Sequence, residues 1–176
     1  MKNLLLFISV IFLLYSCKPN KKEPINDKLT FTNDCESSDG WENIGRTFST
    51  ENFHSGRYSN KLNPQNQYSL TFRYKYENLS KNQIKSVVIS VWAYFLTNKY
   101  EKKYFVVVVD SSDKKLLWES IDMKEFVKSP KTWTKIEKEI IFPRKFNSNS
   151  IIGIYGWNNS DDTILLDDFR IQFIEK

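Results

Sequence analysis

Residues 84–95 read Ile-Lys-Ser-Val-Val-Ile-Ser-Val-Trp-Ala-Tyr-Phe, and this stretch decides the fold. Every second residue from position 87 to 95 is apolar, and the residues between them include Val88 and Trp92. Because successive side chains of a strand point to opposite faces, this period of two predicts a β-strand. Both of its faces carry large side chains, so we expect it to lie at the centre of a sheet.

The same alternation recurs along the chain, between short joints rich in Asn, Ser and Asp. Further strands are predicted at residues 29–33, 44–50, 57–62, 67–74, 104–110, 133–142, 151–157 and 163–174. One helical turn is predicted, at residues 121–128. Many short strands joined by turns predict an all-β, antiparallel β-sandwich in a single domain.

The first residues have the pattern of a secretory signal. Lys2 precedes an apolar run at residues 4–14, which is too short to span a bilayer permanently. Residues 14–17, Leu-Tyr-Ser-Cys, resemble a bacterial lipobox, in which the Cys is acylated and the preceding peptide is removed. The resemblance implies that residues 1–16 are a cleaved lipoprotein signal peptide and that Cys17 carries the lipid. An ordinary signal peptide or an uncleaved anchor are the alternatives.

Residues 17–28 are polar and predict a flexible tether, which leaves residues 29–176, the size of one domain with a full core. The residue after the lipid site is Lys18, whereas Asp is associated, by resemblance, with retention at the inner membrane. We therefore expect a lipid-anchored protein of the cell envelope, at the outer membrane. Whether the domain faces the periplasm or the outside is left open.

Composition and charge argue against several classes of function. The chain has 26 basic and 21 acidic residues, scattered together, so no nucleic-acid partner is expected. Its one histidine, His54, lies in a predicted loop with no nucleophile motif around it, so we assign no catalytic residue and expect no enzyme. Once Cys17 is acylated, Cys35 has no partner, and we expect it to be a small buried side chain.

Asp167 stands out in the final predicted strand. By parity it shares a face with Leu165, Phe169 and Ile171, so its carboxylate is expected at or in the apolar core. A buried carboxylate needs a cation or several hydrogen-bond donors. A bound Ca²⁺ would meet that need, and so would hydrogen bonds from the turn near Ser55 without a metal.

Aromatic residues make up 15% of the chain. Trp92 and Tyr94 lie on one strand face, and Tyr155 and Trp157 lie on one face of another predicted strand. If both pairs line one exposed concavity, they would offer flat platforms for sugar rings, with Asn158 in the adjoining loop to meet hydroxyl groups. The alternative is that these rings fill the core.

Three short motifs together resemble a known superfamily. Asn-Asp-Cys-Glu at residues 33–36 is followed by Gly40-Trp41, then by Ser-Gly-Arg-Tyr-Ser at 55–59 and by Ile-Leu-Leu-Asp-Asp-Phe-Arg-Ile at 164–171. These motifs are similar to those of the galactose-binding-domain-like jelly rolls, which include many carbohydrate-binding modules. The resemblance implies a jelly roll, and a structural Ca²⁺ held by Glu36, Ser55 and Asp167.

The sequence thus predicts a lipid-anchored envelope protein that binds a glycan through a jelly-roll domain, with no catalysis. Its membrane contact would be the lipid at Cys17. Two alternatives stay open: a protein that docks or assembles another envelope protein with the same sandwich, and an incomplete accessory domain of a hydrolase.

Overall fold

Two antiparallel sheets form the structure. The computed structural model describes residues 29–42, 47–112 and 114–176. The strands in these ranges are β1 Thr30–Asn33, β2 Phe48–Ser49, β3 Ser59–Leu62, β4 Phe72–Lys75, β5 Ile84–Phe95, β6 Lys103–Ser111, β7 Lys114–Asp122, β8 Thr134–Ile141, β9 Ile151–Asn158 and β10 Ile164–Glu175. The six-stranded sheet has the order β2-β3-β10-β5-β8, with β1 also paired to β10, and the four-stranded sheet has the order β4-β9-β6-β7. The prediction of an all-β antiparallel sandwich is confirmed.

The core lies between the two sheets and follows the period of two. In β5, Val87, Ile89 and Val91 are buried in the core cluster, as the alternation predicts. Phe105 of β6 and Phe173 of β10 meet them from both sheets. Side chains on the other face of each strand therefore point away from the core, outward from one sheet or the other.

A β-bulge in β10 overturns the predicted parity of Asp167. The register of β10 against β5 shifts between Asp167 and Arg170, and Asp168 has a positive φ of 47°. Asp167 pairs with Trp92, whereas Ile171 pairs with Ile89 of the core. Paired residues share a face, and a bulge inserts one unpaired residue, so Asp167 lies on the outer face and not on that of Ile171.

The burial of Asp167 is nevertheless confirmed, for a different reason. Its side chain has no exposed surface. The loop that precedes β3 folds over the outer face of the six-stranded sheet, and the backbone of His54 and Ser55 contacts the Asp167 carboxylate there. Asp167 was predicted to share a face with Leu165, Phe169 and Ile171, and this is only partly right. Leu165 pairs with Tyr94 and lies on the outer face with Asp167, whereas Ile171, beyond the bulge, faces the core.

Two elements were not predicted. The sequence pattern predicts neither β7 nor the short helix α1, Tyr76–Leu79. A 3₁₀ helix at Met123–Glu125 falls inside the helical turn predicted at 121–128. In the described ranges, no helix is long and apolar enough to cross a membrane. The predicted signal peptide, Cys17 and the tether lie outside the described residues, as does part of the strand predicted at 44–50.

Candidate functional site

The carboxylate of Asp167 is held by backbone N–H groups. Its Oδ2 accepts hydrogen bonds from the N–H groups of His54 (2.8 Å) and Ser55 (3.2 Å), and its Oδ1 accepts one from Asp168 (2.8 Å). Burial raises the pKa of Asp167, and these three hydrogen bonds oppose that shift. The donors satisfy the carboxylate, which is the metal-free alternative that the sequence left open.

Glu36 clamps the far side of the same loop. Its Oε1 accepts hydrogen bonds from the N–H groups of Arg57 (2.6 Å) and Tyr58 (2.9 Å), and these bonds lower the pKa of Glu36. Gly56 packs directly on this carboxylate with a φ of +61°, and a Cβ there would lie 2.3 Å from Oε1. Only glycine meets both the conformation and the contact.

These contacts bear on the predicted calcium ligands. Ser55 Oγ donates to Asp168 Oδ1 at 2.7 Å, so the side chains of Ser55 and Asp167 are each engaged within the loop. The second oxygen of Glu36 lies 3.7 Å from Arg57 Nε, a cation of the protein itself. Oxygens that already face N–H donors do not fit a cation as they are arranged here. No group of three or more His, Cys, Asp or Glu among the described residues is placed to hold a metal ion. Calcium binding stays a prediction.

Cys35 lies beneath this loop. It is fully buried, as expected, and burial raises the pKa of its thiol far above the ordinary value. Its Sγ lies 3.7 Å from the carbonyl oxygen of Leu166. A thiol in this environment stays protonated and is a packing group.

The two aromatic pairs point in opposite directions. Trp92 and Tyr94 lie on the outer face of the six-stranded sheet, opposite to the core residues of β5. Tyr155 and Trp157 lie on the outer face of the four-stranded sheet, opposite to Ile154. The expectation that both pairs line one concavity is therefore wrong, because the core separates the two faces.

Trp92 and Tyr94 help to hold a loop in place. The His54 ring stacks on Trp92 with centroids 3.9 Å apart, and His54 Nδ1 lies 2.5 Å from Asp168 Oδ2. Tyr94 contacts Trp133, whose indole N–H donates to Asn52 Oδ1 at 3.4 Å. One face of the Trp92 ring is thus already covered by protein.

The outer face of the four-stranded sheet carries an open cleft of about 500 Å³, which we call the Tyr68 cleft. Its lining is mainly polar and aromatic: Glu42, Gln65, Asn66, Gln67, Tyr68, Ser69, Thr71, Arg73 and Tyr155. The Tyr68 side chain is half exposed, at 52%. An isolated bridge pairs Tyr68 with Trp157.

The aromatic rings in and beside this cleft have a defined arrangement: Tyr68 and Tyr155 line it, and Trp157 and Tyr104 lie next to them. The Tyr68 and Trp157 rings are nearly parallel, with an interplanar angle of 7° and centroids 6.4 Å apart. Tyr155 meets Tyr68 edge-on at 5.7 Å, and Tyr104 packs against Trp157 at 5.6 Å. Strand pairing of β9 with β6 aligns Tyr104 with Trp157 and Val106 with Tyr155, so all of these side chains share the outer face.

The cleft has a polar wall. On the wall, Arg73 Nε donates to Glu42 Oε2 at 3.1 Å, and both side chains remain about half exposed. Burial raises the pKa of Tyr155, which keeps its hydroxyl protonated and able to donate.

Asn158 is not available to a ligand in this arrangement. It lies on the core side of β9, fully buried, and its Nδ2 donates to the carbonyl oxygen of Asp162 at 2.6 Å. Its Oδ1 accepts from the N–H and the hydroxyl of Ser160. The expectation that Asn158 meets ligand hydroxyl groups is corrected: it organises the loop between β9 and β10.

Sequence reasoning placed Tyr155 and Trp157 at a site and missed Tyr68, Tyr104, Arg73 and Glu42. In the strand predicted at residues 67–74, a period of two would put Tyr68 on the same face as Leu70 and Phe72, which are buried. Between β3 and β4, Tyr68 and Thr71 form isolated bridges and no strand, and β4 begins only at Phe72. The alternation of β4 therefore does not extend back to Tyr68. The polar run Gln65-Asn66-Gln67 before it was the available signal of an exposed position.

Comparisons with known proteins identify the fold. No protein-family model matches the chain, and no curated protein matches it. Among solved structures, it is similar to the CBM22-2 xylan-binding domain from Paenibacillus barcinonensis Xyn10C, with a TM-score of 0.56 and 17% identity over 82% of this chain and 99% of that one.

Two further structures agree. The xylan-binding domain from CBM 22 matches with a TM-score of 0.51 and 13% identity over 81% of this chain and 92% of that one. The CBM22-1-GH10 modules of Clostridium thermocellum xylanase 10B, complexed with xylohexaose, match with a TM-score of 0.51 and 15% identity over 81% of this chain but 28% of that one. At these identities the likeness establishes the fold alone, a β-sandwich similar to that of these xylan-binding domains.

Proposed function

We propose that this chain is a lipid-anchored envelope protein whose jelly-roll domain binds a glycan, without catalysis, in the Tyr68 cleft. One observation carries the proposal: a half-exposed Tyr68 ring lies nearly parallel to the ring of Trp157 beside a polar wall. The flat, apolar faces of sugar rings pack on such aromatic rings, and their hydroxyl groups pair with the polar side chains around them.

The wall of the cleft is suited to hydroxyl groups. Arg73 donates through its Nε to Glu42, and its side chain remains about half exposed. Thr71, Gln67 and the phenol of Tyr155 add both donors and acceptors. A cleft that offers both kinds of group favours a neutral, polyhydroxylated ligand over a flat apolar partner surface.

The absence of catalysis is part of the proposal. The one histidine of the sequence, His54, stacks on Trp92 and pairs with Asp168, on the sheet opposite to the cleft. It therefore has a structural use and no access to a ligand in the Tyr68 cleft. The fold of the domain, shared with carbohydrate-binding modules, supports binding in place of chemistry.

The anchor and its location rest on the sequence. Acylation of Cys17 and a tether over residues 17–28 would hold the domain near the envelope, at the outer membrane. Calcium at Glu36, Ser55 and Asp167 remains a prediction with a simple test. An ion bound only to the native state must raise the melting temperature, so an unchanged value on adding chelator would exclude it.

A glycan array probed with the purified protein tests the proposed function. We expect Tyr68→Ala and Trp157→Ala each to reduce binding by about tenfold or more, the loss expected when a stacking contact disappears. Phe53→Ala is the matched control, because Phe53 is an exposed aromatic outside the Tyr68 cleft. Equal effects of all three substitutions, or no bound glycan at all, would favour the alternative of a protein partner.

A further inference from the structure

The outer face of the six-stranded sheet carries a second cleft, of about 520 Å³, which we call the Ser90 cleft. Its floor consists of Ser90, Trp92, Lys135 and Arg170, and its lining includes none of the residues that line the Tyr68 cleft. The core of the sandwich lies between the two clefts. The two clefts therefore open on opposite sides of the sandwich.

Strand pairing explains why the sheet is hollow at this point. Ser90 on β5 lies between Arg170 on β10 and Glu137 on β8, in one row of outward side chains. In the next row, Trp92 pairs with Lys135. A small side chain surrounded by longer ones leaves a depression at the centre of the face.

The walls of the depression are fixed in place. At one end, Trp92 is backed by His54, and the carboxylate of Asp168 is held by Ser55 Oγ. Along one side, Asn33 fixes the loop that follows β1. Its Nδ2 donates to the carbonyl oxygen of Ser37 at 3.1 Å and its Oδ1 accepts from the N–H of Cys35 at 2.8 Å. A preformed wall costs little ordering when a ligand binds.

The charges in the cleft are of both signs and are not paired with one another. Arg170 forms no ion pair with any described residue, and neither do Asp34 and Asp39 on the loop wall. Lys135 pairs with Glu137, outside the cleft lining. Carboxylates accept hydrogen bonds and a guanidinium donates them, whereas a hydroxyl group does both. The set therefore suits a neutral ligand with many hydroxyl groups.

We propose that the Ser90 cleft is a second sugar-binding site, so that the protein has two binding faces on opposite sides of the sandwich. Arg170, Asp34 and Asp39 form the hydrogen bonds, and Trp92, which lines the cleft, supplies the apolar contact with the sugar. With two faces, one molecule connects two glycan chains, or two segments of one chain.

The test is a glycan array probed with the purified full chain and three variants. The double variant Tyr68→Ala with Trp157→Ala removes the first cleft. Ser90→Tyr fills the second cleft from its floor, on the face opposite to the core. Val88→Tyr is the matched control, since Val88 is two residues away on the same face of β5 and does not line the cleft. Melting temperatures establish that each variant is folded.

We expect the double variant to keep a subset of the array glycans, and Ser90→Tyr to lose that subset by about tenfold or more, the equivalent of losing one or two hydrogen bonds. Val88→Tyr should bind as the unaltered protein does. If the double variant binds nothing while the unaltered protein binds, the proposed function stands and the second site is overturned. If all binding survives in the double variant and is lost in Ser90→Tyr, the second site stands and the Tyr68 cleft is not a site. An array with no bound glycan overturns both.

Discussion

The imidazole ring of His54 lies flat against the indole ring of Trp92, with centroids 3.9 Å apart and planes inclined by 15°. The same imidazole pairs with Asp168, whose backbone lies in the bulge of β10. One side chain thus joins the loop before β3 to two strands of the six-stranded sheet. The loop in turn covers the carboxylate of Asp167.

Replacing His54 should therefore weaken the fold. We expect His54→Ala to lower the free energy of unfolding by about 1–2 kcal/mol, the sum of one stacked ring pair and one partly exposed hydrogen bond. Urea denaturation measures this change. Binding in the Tyr68 cleft should stay as it is, because His54 lies on the opposite side of the core; a large loss of that binding would contradict the separation of the two faces.

The contact between Gly56 and Glu36 predicts a costly substitution. Gly56→Ala places a Cβ 2.3 Å from Glu36 Oε1 in addition to forcing alanine to a φ of +61°, so we expect a loss of about 2–4 kcal/mol in the free energy of unfolding. Gly40→Ala is the matched control, since Gly40 has a φ of +73° and no atom within 4 Å of the added Cβ. Gly40→Ala should lower the free energy of unfolding by about 1 kcal/mol, from backbone strain alone. Equal losses at the two sites would show that the Glu36 contact is relieved at no cost.

Asp167 predicts an unusual dependence of stability on pH. Burial raises its pKa above the ordinary value of 3.8, so the folded state holds this proton more tightly than the unfolded state does. Its contribution to stability is then fully present below about pH 3.8 and is lost as the pH rises through the folded-state pKa. Asp167→Asn removes the titration, and urea denaturation from pH 3 to 7 should show less loss of stability with rising pH than in the unaltered protein. A variant with the same pH profile as the unaltered protein would contradict the raised pKa.

The proposed acylation of Cys17 makes a prediction about where the protein is found. Cys17→Ser removes the thiol that would be acylated, so we expect the protein to leave the membrane fraction. Cell fractionation followed by detection of the domain measures this. Cys35→Ser serves as the matched control, because it replaces the other cysteine and keeps the anchor. A Cys17→Ser protein that stays with membranes would point to an uncleaved anchor.

The sequence predicts the limits of β5, β8 and β9 best. The limits of β5 were predicted to the residue, because every second residue from Val87 to Phe95 is apolar, and those of β8 and β9 were predicted to within one residue. β7 was missed because the exposed Glu119, which pairs with Val107, interrupts the apolar alternation between Leu117 and Ile121.

The candidate site was harder to predict because it depends on register. Because of the bulge near Asp168, every residue before it in β10 lies on the opposite face from the one that a regular period of two predicts. The sequence there has no feature that predicts the extra residue. The Tyr68 cleft is formed by segments distant in sequence, at Glu42, Tyr68 and Tyr155. Their proximity follows from the pairing of β4 with β9 and from isolated bridges, which only the folded chain reveals.

Solution NMR of the isotopically labelled protein, titrated with a glycan that the array selects, tests the central claim most directly. We expect the largest chemical-shift changes at Tyr68, Arg73 and Tyr155 and at the indole N–H of Trp157, and we expect Tyr68→Ala to remove them. Shift changes confined to the opposite face, or a titration that leaves the signals of Tyr68 and Trp157 unmoved, would contradict glycan binding in the Tyr68 cleft.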